Sequence, residues 1–270
     1  MLRLAIRVRR EEAELVLAEL LELAPSGVEE SAIGTDVIEY AVYGAPGELP
    51  ALPDLTAAAG SALVEVATSE IADDWSERWR QFHKPVVLGR LTVRPPWEPP
   101  ADTPIDLVID PGQAFGTGAH ATTRLCLELM LELAPSASFL DLGCGSGVLA
   151  IAAARLGWAP VIACDYDPVA VEATRANAVG NRVGIESVQL DLREQPLPPA
   201  ETVAANLLTP LLLELATRVD RAYPARMIAS GVLSGEADAV ARAFAAAGLI
   251  ESERRSAGEW SALLLERAPS

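Results

Sequence analysis

Residues that build metal clusters, disulfides and hydrolytic triads are scarce in this sequence. It has two histidines and three cysteines among 270 residues. Cys126, Cys144 and Cys164 are odd in number and lack metal-site spacing, which favours a reduced cytoplasmic protein over a disulfide framework. No Ser–His–Asp grouping and no Walker phosphate loop stands out. Metal-dependent chemistry and serine hydrolysis are therefore not predicted.

The sequence also lacks long apolar runs and a surplus of positive charge. Charge or proline interrupts each apolar stretch, so no membrane span is predicted. The N-terminus has no apolar core followed by a small-residue cleavage site, which argues against secretion. Lys and Arg number 21 against 38 Asp and Glu, for a formal net charge of −17. This charge disfavours direct DNA binding and either attracts a basic partner or simply maintains solubility.

Apolar periodicity predicts a small N-terminal domain over residues 1–70. The pattern alternates between strand-like and helical spacing in the order βαββαβ, which indicates a ferredoxin-like α+β domain. The predicted strands are 2–8, 26–33, 36–44 and 62–68, and the predicted helices are 10–23 and 50–59. The domain contains no cluster of catalytic side chains.

Residues 71–102 are predicted to be a linker with a short helix. Trp75 and Trp79 lie four residues apart and so share one helical face. Packing between domains is favoured for this pair over direct substrate contact. Five prolines within residues 94–104 indicate a rigid connection into the next domain.

Strands and helices alternate from residue 103 to the C-terminus. Short apolar segments such as 105–110 read as buried strands, and helices are predicted at 148–157 and 168–180. Such alternation implies a doubly wound α/β fold with a parallel sheet covered on both faces. A final hairpin is expected to add antiparallel strands at one edge.

A glycine-rich loop from Asp141 to Gly147 follows a predicted strand and begins a helix. The third glycine comes one position too early for the dinucleotide-binding fingerprint, and Val148 occupies the fingerprint position. A carboxylate at Asp141 would repel a pyrophosphate but accept hydrogen bonds from an ammonium group. S-adenosylmethionine carries an α-ammonium and no phosphate, so the loop favours this cofactor.

Acidic residues follow the next two strands. Asp165 lies 22 residues after Gly143, close to the spacing at which an acidic residue holds ribose hydroxyls. Asp167, just before Pro168, better suits the role of helix N-cap. Asp191 either faces the adenine amino group or is a turn residue.

Residues 110–123, DPGQAFGTGAHATT, are too polar and glycine-rich for a core strand. Phe115 is able to cover a ligand, and Thr122 and Thr123 enter a helix. A loop that closes over a cofactor explains this composition better than a simple turn. His120 is either a general base or a residue that orients the loop by a hydrogen bond, and the second role is favoured.

The glycine loop with Asp165 in register resembles the seven-stranded (class I) S-adenosylmethionine methyltransferases, which have a Rossmann-like sheet. More closely, residues 115–123 resemble the FGTG-x-H-x-TT loop of the ribosomal protein L11 methyltransferases. Residues 73–99 are similar to that family's linker, 141–157 to its cofactor loop and helix, and Ala205-Asn206-Leu207-Leu208 to its strand-four motif. The resemblance covers most of residues 73–215, and the N-terminal 70 residues match only in size and expected fold.

The resemblance implies methyl transfer from S-adenosylmethionine to lysine side chains and the N-terminal α-amine of ribosomal protein L11, by a monomer whose N-terminal domain recognises the substrate. The candidate catalytic residues are Asn206, Leu207 and His120. The candidate cofactor contacts are Phe115, Gly116, Thr117, Gly118, Thr122, Thr123, Asp141, Gly143, Cys144, Gly145, Asp165, Tyr166, Asp191 and Asn206.

Other acceptors and another class of function stay open. Asn206 is followed by two leucines rather than by the Pro-Pro-Tyr typical of enzymes that methylate planar amides or bases, which argues against those substrates. A methyltransferase for another protein or a small-molecule amine is one alternative. A noncatalytic cofactor-binding module associated with the ribosome is another.

Overall fold

The computed structural model describes residues 2–13, 16–17, 20, 28–44, 49–50, 55–56, 59–70, 83–111, 118–135, 137–219 and 224–267. The chain divides into two compact units, Met1–Phe82 and His83–Ser270. The predicted Trp75–Trp79 helix and the segment with Phe115, Gly116 and Thr117 lie outside the described residues.

The first unit contains a four-stranded antiparallel sheet. Its strands are β1 (Leu2–Arg9), β2 (Glu29–Ile33), β3 (Val37–Gly44) and β4 (Leu63–Glu70), in the spatial order β2-β3-β1-β4. Short 3₁₀ helices span Arg10–Glu12 and Gly60–Ala62. One sheet face is apolar because alternate β1 residues, Leu4, Ile6 and Val8, are buried in a common core. On β3, Glu39 pairs with Arg3 (2.6 Å) and Arg7 (2.7 Å).

The second unit is built on a seven-stranded sheet, and the predicted doubly wound α/β fold is confirmed there. The strand order is β10-β9-β8-β11-β12-β14-β13, parallel from β10 to β12, with β14 antiparallel to both of its neighbours. The strands are β8 (Phe139–Leu142), β9 (Val161–Asp165), β10 (Glu186–Gln189), β11 (Thr202–Asn206), β12 (Arg226–Leu233), β13 (Leu249–Ala257) and β14 (Trp260–Arg267).

Helices cover both faces of this sheet. They are α1 (Ala121–Glu132), α2 (Val148–Leu156), α3 (Pro168–Gly180), α4 (Thr209–Arg218) and α5 (Ala237–Ala246). Buried residues of α1, α2 and α3 share one core, and those of α4 and α5 share another. Strand order reverses between β8 and β11, so the carboxyl ends of these two strands flank the crevice in which such sheets bind ligands.

The segment before the sheet differs from the prediction in two respects. β5 (Val86–Leu88), β6 (Leu91–Arg94) and β7 (Ile105–Val108) form a separate three-stranded sheet. Residues 83–102, assigned to the linker from sequence, therefore belong to the second compact unit. The reason is burial, because all four residues of β6 are buried. The predicted strand at 105–110 forms, but it pairs with β6 rather than joining the large sheet.

Candidate functional site

The glycine loop folds back over the end of the neighbouring strand. The backbone N–H groups of Gly143 and Cys144 both donate to the carbonyl of Cys164, at 2.8 and 3.0 Å. Gly147 has a φ of +81° and is the N-cap residue of α2, and a Cβ there would lie 2.8 Å from the side chain of Thr174. Thr174 Oγ1 lies 3.0 Å from the carbonyl oxygen of Gly145. The glycines thus permit a tight turn that other residues would strain.

Asp165 is the last residue of β9 and is tied to the same loop. Its Oδ2 accepts a hydrogen bond from Gly145 N at 3.0 Å, and its Oδ1 accepts one from Asp167 N at 3.1 Å. Each carboxylate oxygen has more than one acceptor position, so each can still receive a ligand hydroxyl. Asp167 accepts from Val169 N at 2.8 Å and is the predicted N-cap of α3.

A cavity of about 400 Å³ lies where the glycine loop, β9 and β11 end. It is lined by Leu142, Gly143, Gly145, Cys164, Asp165, Tyr166, Leu190, Asp191, Leu192, Arg193, Leu207 and Leu211. Six of these residues are candidates from the sequence. A second cavity of about 270 Å³ is lined mainly by leucine, proline and valine near residues 196–200, and its described lining includes none of the candidates. The first cavity is therefore the site to which the predicted residues converge.

The Asp191 carboxylate accepts a hydrogen bond within its own turn and also faces the cavity. Its carboxylate accepts from Arg193 N at 2.9 Å and forms an ion pair with that guanidinium at 2.9 Å. The hydrogen bond from Arg193 lowers the pKa of the Asp191 carboxyl, which is ionised at neutral pH. Tyr166, which follows Asp165, is mostly exposed at the cavity wall.

Asp141 is buried within β8, one residue before the cavity lining. Its Oδ2 accepts from Ala150 N of α2 at 3.0 Å, whereas its buried Oδ1 has no hydrogen-bond partner among the described residues. Burial raises the pKa of the carboxyl to about 7. A buried acceptor without a partner is costly, and within the part of the chain that the structure describes no donor reaches this oxygen.

A second group of candidates lies where α1 begins. Thr122 and Thr123 are buried, and Asn206 Nδ2 donates to Thr123 Oγ1 at 3.4 Å. Ser230 Oγ of β12 donates to the carbonyl of Thr122 at 3.1 Å. These bonds connect the start of α1 to the end of β11 and to the middle of β12. Leu207 lines the cavity and directly follows Asn206. The candidates around the cavity and those at the start of α1 therefore meet at the end of β11.

Leu207 lies between the glycine loop and β12. A Cβ at Gly143 would lie 2.5 Å from Leu207 Cδ2, and a Cβ at Gly231 would lie 2.4 Å from the Leu207 carbonyl oxygen. Leu207 N donates to Ser230 O at 2.9 Å. Leu207 can therefore occupy this position only because residues 143 and 231 have no side chains.

His120 is the N-cap of α1. Its Nδ1 accepts from Thr122 N at 3.4 Å and lies 2.8 Å from Thr122 Oγ1, and its ring is edge-on to Trp260 at 5.3 Å between centroids. Burial and the nearby Arg124 lower the pKa of the imidazole. These contacts favour a loop-orienting role. Gly118, with a φ of +85°, packs close to Val93.

Neither thiol nor metal chemistry is indicated near the cavity. Burial raises the pKa of the Cys144 thiol, whose Sγ lies 3.2 Å from Thr174 Oγ1, so Cys144 is a packed neutral thiol. All three cysteines are free and buried. Within the described part of the chain, no group of three or more His, Cys, Asp or Glu side chains is placed to hold a metal ion.

Several site residues escaped the sequence analysis. Thr174, Ser230 and Gly231 contact the candidates but belong to a helix and a strand that read as ordinary core elements. Asn177 reaches both Asp110 and the Ser146 carbonyl of the glycine loop, and Asn181 reaches Val108 of β7. A signal was present for this pair, because two asparagines four residues apart share one face of a helix.

Comparison with known proteins identifies the family. The sequence model described as ribosomal protein L11 methyltransferase (PrmA) matches residues 50–268. The chain belongs to the ribosomal protein L11 methyltransferase family. The resemblance seen in its motifs is thereby confirmed.

Two curated members of the L11 methyltransferase family show how much of the chain is shared. A ribosomal protein L11 methyltransferase of Geobacter metallireducens is 42% identical over 72% of this chain and 66% of its own length. One of Pelotomaculum thermopropionicum is 42% identical over 73% of this chain and 67% of its own length. The chain spans about two thirds of the length of these relatives.

A solved structure of the L11 methyltransferase family supports the fold. The ribosomal protein L11 methylase of Lactobacillus delbrueckii subsp. bulgaricus has a TM-score of 0.57 and 27% identity, over 68% of this chain and 99% of that one. The large, mostly parallel sheet is thus a methyltransferase-like α/β sheet. Among the described residues, no helix is both long and apolar enough to cross a membrane.

Proposed function

We propose that this chain is an S-adenosylmethionine-dependent protein methyltransferase that methylates amines of ribosomal protein L11. One observation carries the proposal: in a chain of this family, the glycine loop, Asp165 and Leu207 meet around one cavity at the switch point of the sheet. Lysine side chains and the N-terminal α-amine are the acceptors. The chain's net charge of −17 suits a basic protein substrate.

The residues around the cavity fit the cofactor. Asp165 accepts the ribose hydroxyls, and Asp191 and the apolar residues beside it face the adenine. Asp141 lies just behind the cavity lining, and its Oδ1, which has no hydrogen-bond partner among the described residues, receives the α-ammonium. Gly143 and Gly145 allow close approach of the backbone. S-adenosylmethionine, when bound, supplies a methyl group on a sulfonium, which is already a good leaving group.

The acceptor amine must lose its proton before it can attack. A lysine has a reference pKa of about 10.4, so it is mostly protonated at neutral pH. The apolar wall formed by Leu207 and its neighbours lowers that pKa by desolvation. Asn206 Nδ2 is engaged with Thr123, which leaves the amide oxygen, together with the Leu207 carbonyl, to accept N–H bonds and direct the lone pair. Positioning supplies most of the catalysis.

The N-terminal residues 1–70 form the substrate-recognition domain in this proposal, joined through a linker that begins at residue 71. The order β2-β3-β1-β4, with helical residues between β1 and β2 and between β3 and β4, supports a ferredoxin-like fold. The protein acts as a cytoplasmic monomer and does not bind DNA directly.

A labelling experiment tests the acceptor. Unmethylated large-subunit proteins are incubated with the protein and S-adenosylmethionine carrying a radioactive methyl group, then separated. Label in L11 alone supports the proposal. Label in another protein or in a small amine would support methyltransferase activity but assign it a different substrate. Binding of the cofactor without any methyl transfer would favour a noncatalytic module.

Replacement of His120 by asparagine is expected to preserve most activity. Asparagine is a strong N-cap and can accept the Thr122 N–H bond. A general base contributes about 10²–10⁴-fold, so a loss smaller than about tenfold in kcat indicates orientation rather than proton transfer. Alanine at the same position, which cannot cap the helix, serves as the contrasting variant and is expected to lower Tm. A loss of two orders of magnitude in the asparagine variant would assign the base role to His120.

Titration of Asp141 is expected to link pH to stability and to cofactor affinity. Its pKa of about 7 lies above the unfolded value near 3.9, so the folded state binds more protons between these values. The free energy of unfolding should therefore fall as pH rises from about 4 to about 7. Binding of the ammonium requires the carboxylate, so affinity for S-adenosylhomocysteine should be roughly tenfold weaker at pH 6 than at pH 8.

The matched variant is Asp141→Asn, which keeps the acceptor for Ala150 N. It should bind more weakly at pH 8 and lose the pH dependence of affinity, as measured by calorimetry. The same pH dependence in the variant would assign the titration to another group.

A further inference from the structure

Two asparagines at the C-terminal end of α3, Asn177 within the helix and Asn181 directly after it, pair with the edge of the small sheet opposite β6. Asn181 Oδ1 accepts from Val108 N at 2.8 Å, and its Nδ2 donates to Val108 O at 2.6 Å. Asn177 Oδ1 accepts from Asp110 N at 2.9 Å, and its Nδ2 donates to Asp110 O at 3.3 Å. Each side-chain amide thus forms the two-way pairing that a peptide group of a neighbouring strand would form.

The spacing of helix and strand makes this pairing possible. Four helical residues rise about 6 Å, and two strand residues rise about 6.6 Å, so both amides stay in register with alternate residues of the strand. The other edge of β7 pairs with β6, since Ile105 N donates to Arg90 O and Ile109 N to Arg94 O. Both asparagines are buried, which makes their hydrogen bonds costly to lose.

One difference separates the two amides. Asn177 Nδ2 also donates to the carbonyl of Ser146 at 2.9 Å, within the glycine loop between Gly145 and Gly147. Asn181 Nδ2 instead donates to the carbonyl of Asn177 at 2.8 Å, in the last turn of α3. Only the first amide therefore joins the end of β7, where the 110–123 segment begins, to the loop whose Gly145 N–H holds Asp165.

We infer that Asn177 is a positioning residue for the cofactor site, which it serves by holding the Ser146 carbonyl and Asp110 together. The inference rests on the proposed function. Asn181 shares the pairing with β7 but contributes to stability alone. Neither side chain lines the cavity, so Asn177 acts on the ligand through the loop.

The test compares Asn177→Asp with the matched variant Asn181→Asp. Each aspartate keeps one acceptor but replaces the donating NH₂ by an oxygen that faces two carbonyl groups. Both variants should lower Tm to a similar extent. Asn177→Asp should raise the Kd for S-adenosylhomocysteine, measured by calorimetry on the full chain, at least about tenfold, because a buried hydrogen bond to the loop is lost. Asn181→Asp should leave that Kd within about threefold.

Asn177→Ser, which removes the pairing without adding charge, replaces the aspartate variant if the latter does not fold, with the same expected rise in Kd. Equal Kd values in both variants, whether unchanged or raised together, would overturn the inference, since the amide would then be merely structural. Failure of the unaltered protein to bind S-adenosylhomocysteine would instead overturn the proposed cofactor site, and the inference with it.

Discussion

Replacement of Asp165 by alanine is expected to weaken cofactor binding about 100-fold or more. Hydrogen bonds to a charged group contribute about 1.5–3 kcal/mol each, and we propose that the carboxylate accepts two ribose hydroxyls. The same substitution frees Gly145 N and so loosens the glycine loop. Calorimetric titration with S-adenosylhomocysteine measures the loss without the need for a methyl acceptor.

Asp167→Ala is the matched control for this result. Asp167 lies two residues away and its side chain caps α3 by accepting from Val169 N. Loss of an N-cap costs about 1 kcal/mol of stability, so Tm should fall while cofactor affinity stays near that of the unaltered protein. Near-normal affinity in Asp165→Ala, or an equal loss of affinity in both variants, would contradict the ribose assignment.

Replacement of Gly231 by alanine should cause a large loss of both stability and methyl transfer. The φ of +83° costs an L-residue about 1–2 kcal/mol, and the added Cβ would lie 2.4 Å from the Leu207 carbonyl oxygen. Backbone atoms cannot rotate away, so Leu207 must shift, at an overpacking cost of about 1–3 kcal/mol. We expect a loss of roughly 2–5 kcal/mol in denaturant unfolding.

Methyl transfer at saturating cofactor should fall more than tenfold, because we propose that Leu207 and Asn206 direct the acceptor amine, and misplacement of a reacting group by about 1 Å can cost about 100-fold. Gly258→Ala provides the control, since Gly258 also has a positive φ of +60° but no atom near the added Cβ. It should lose about 1–2 kcal/mol and keep its activity. Equal effects of the two substitutions would show that strain alone, and not contact with Leu207, is responsible.

Elements governed by local signals were predictable from sequence. The helix expected at 168–180 forms with those limits, because Asp167 caps it, Pro168 suits its first turn and the buried face repeats at helical spacing. α2 ends before Gly157, whose φ of +113° only glycine adopts easily. The glycine loop could be recognised for the same reason, since its residue types are dictated by backbone shape.

Pairings between distant segments were not predictable. The strand at 105–110 was recognised, but apolar periodicity does not tell which sheet a strand joins, and β7 pairs with β6. Asn206 meets Thr123 across 83 positions of sequence, and Ser230 meets Thr122 across 108. Sequence alone predicts either a turn residue or an adenine contact at Asp191, and the structure shows a carboxylate that bonds within its turn while it faces the cavity.

Intact-mass spectrometry of L11 is the decisive test of methyl transfer to this protein. Unmethylated L11 is incubated with the protein and S-adenosylmethionine, with the Asp165→Ala variant as a parallel sample. We expect successive mass gains, each equal to replacement of one hydrogen by a methyl group, and far fewer of them with the variant. Peptide mapping should place them on lysines and on the N-terminal amine. An unchanged L11 mass, together with calorimetric proof that the protein binds the cofactor, would contradict the proposed activity.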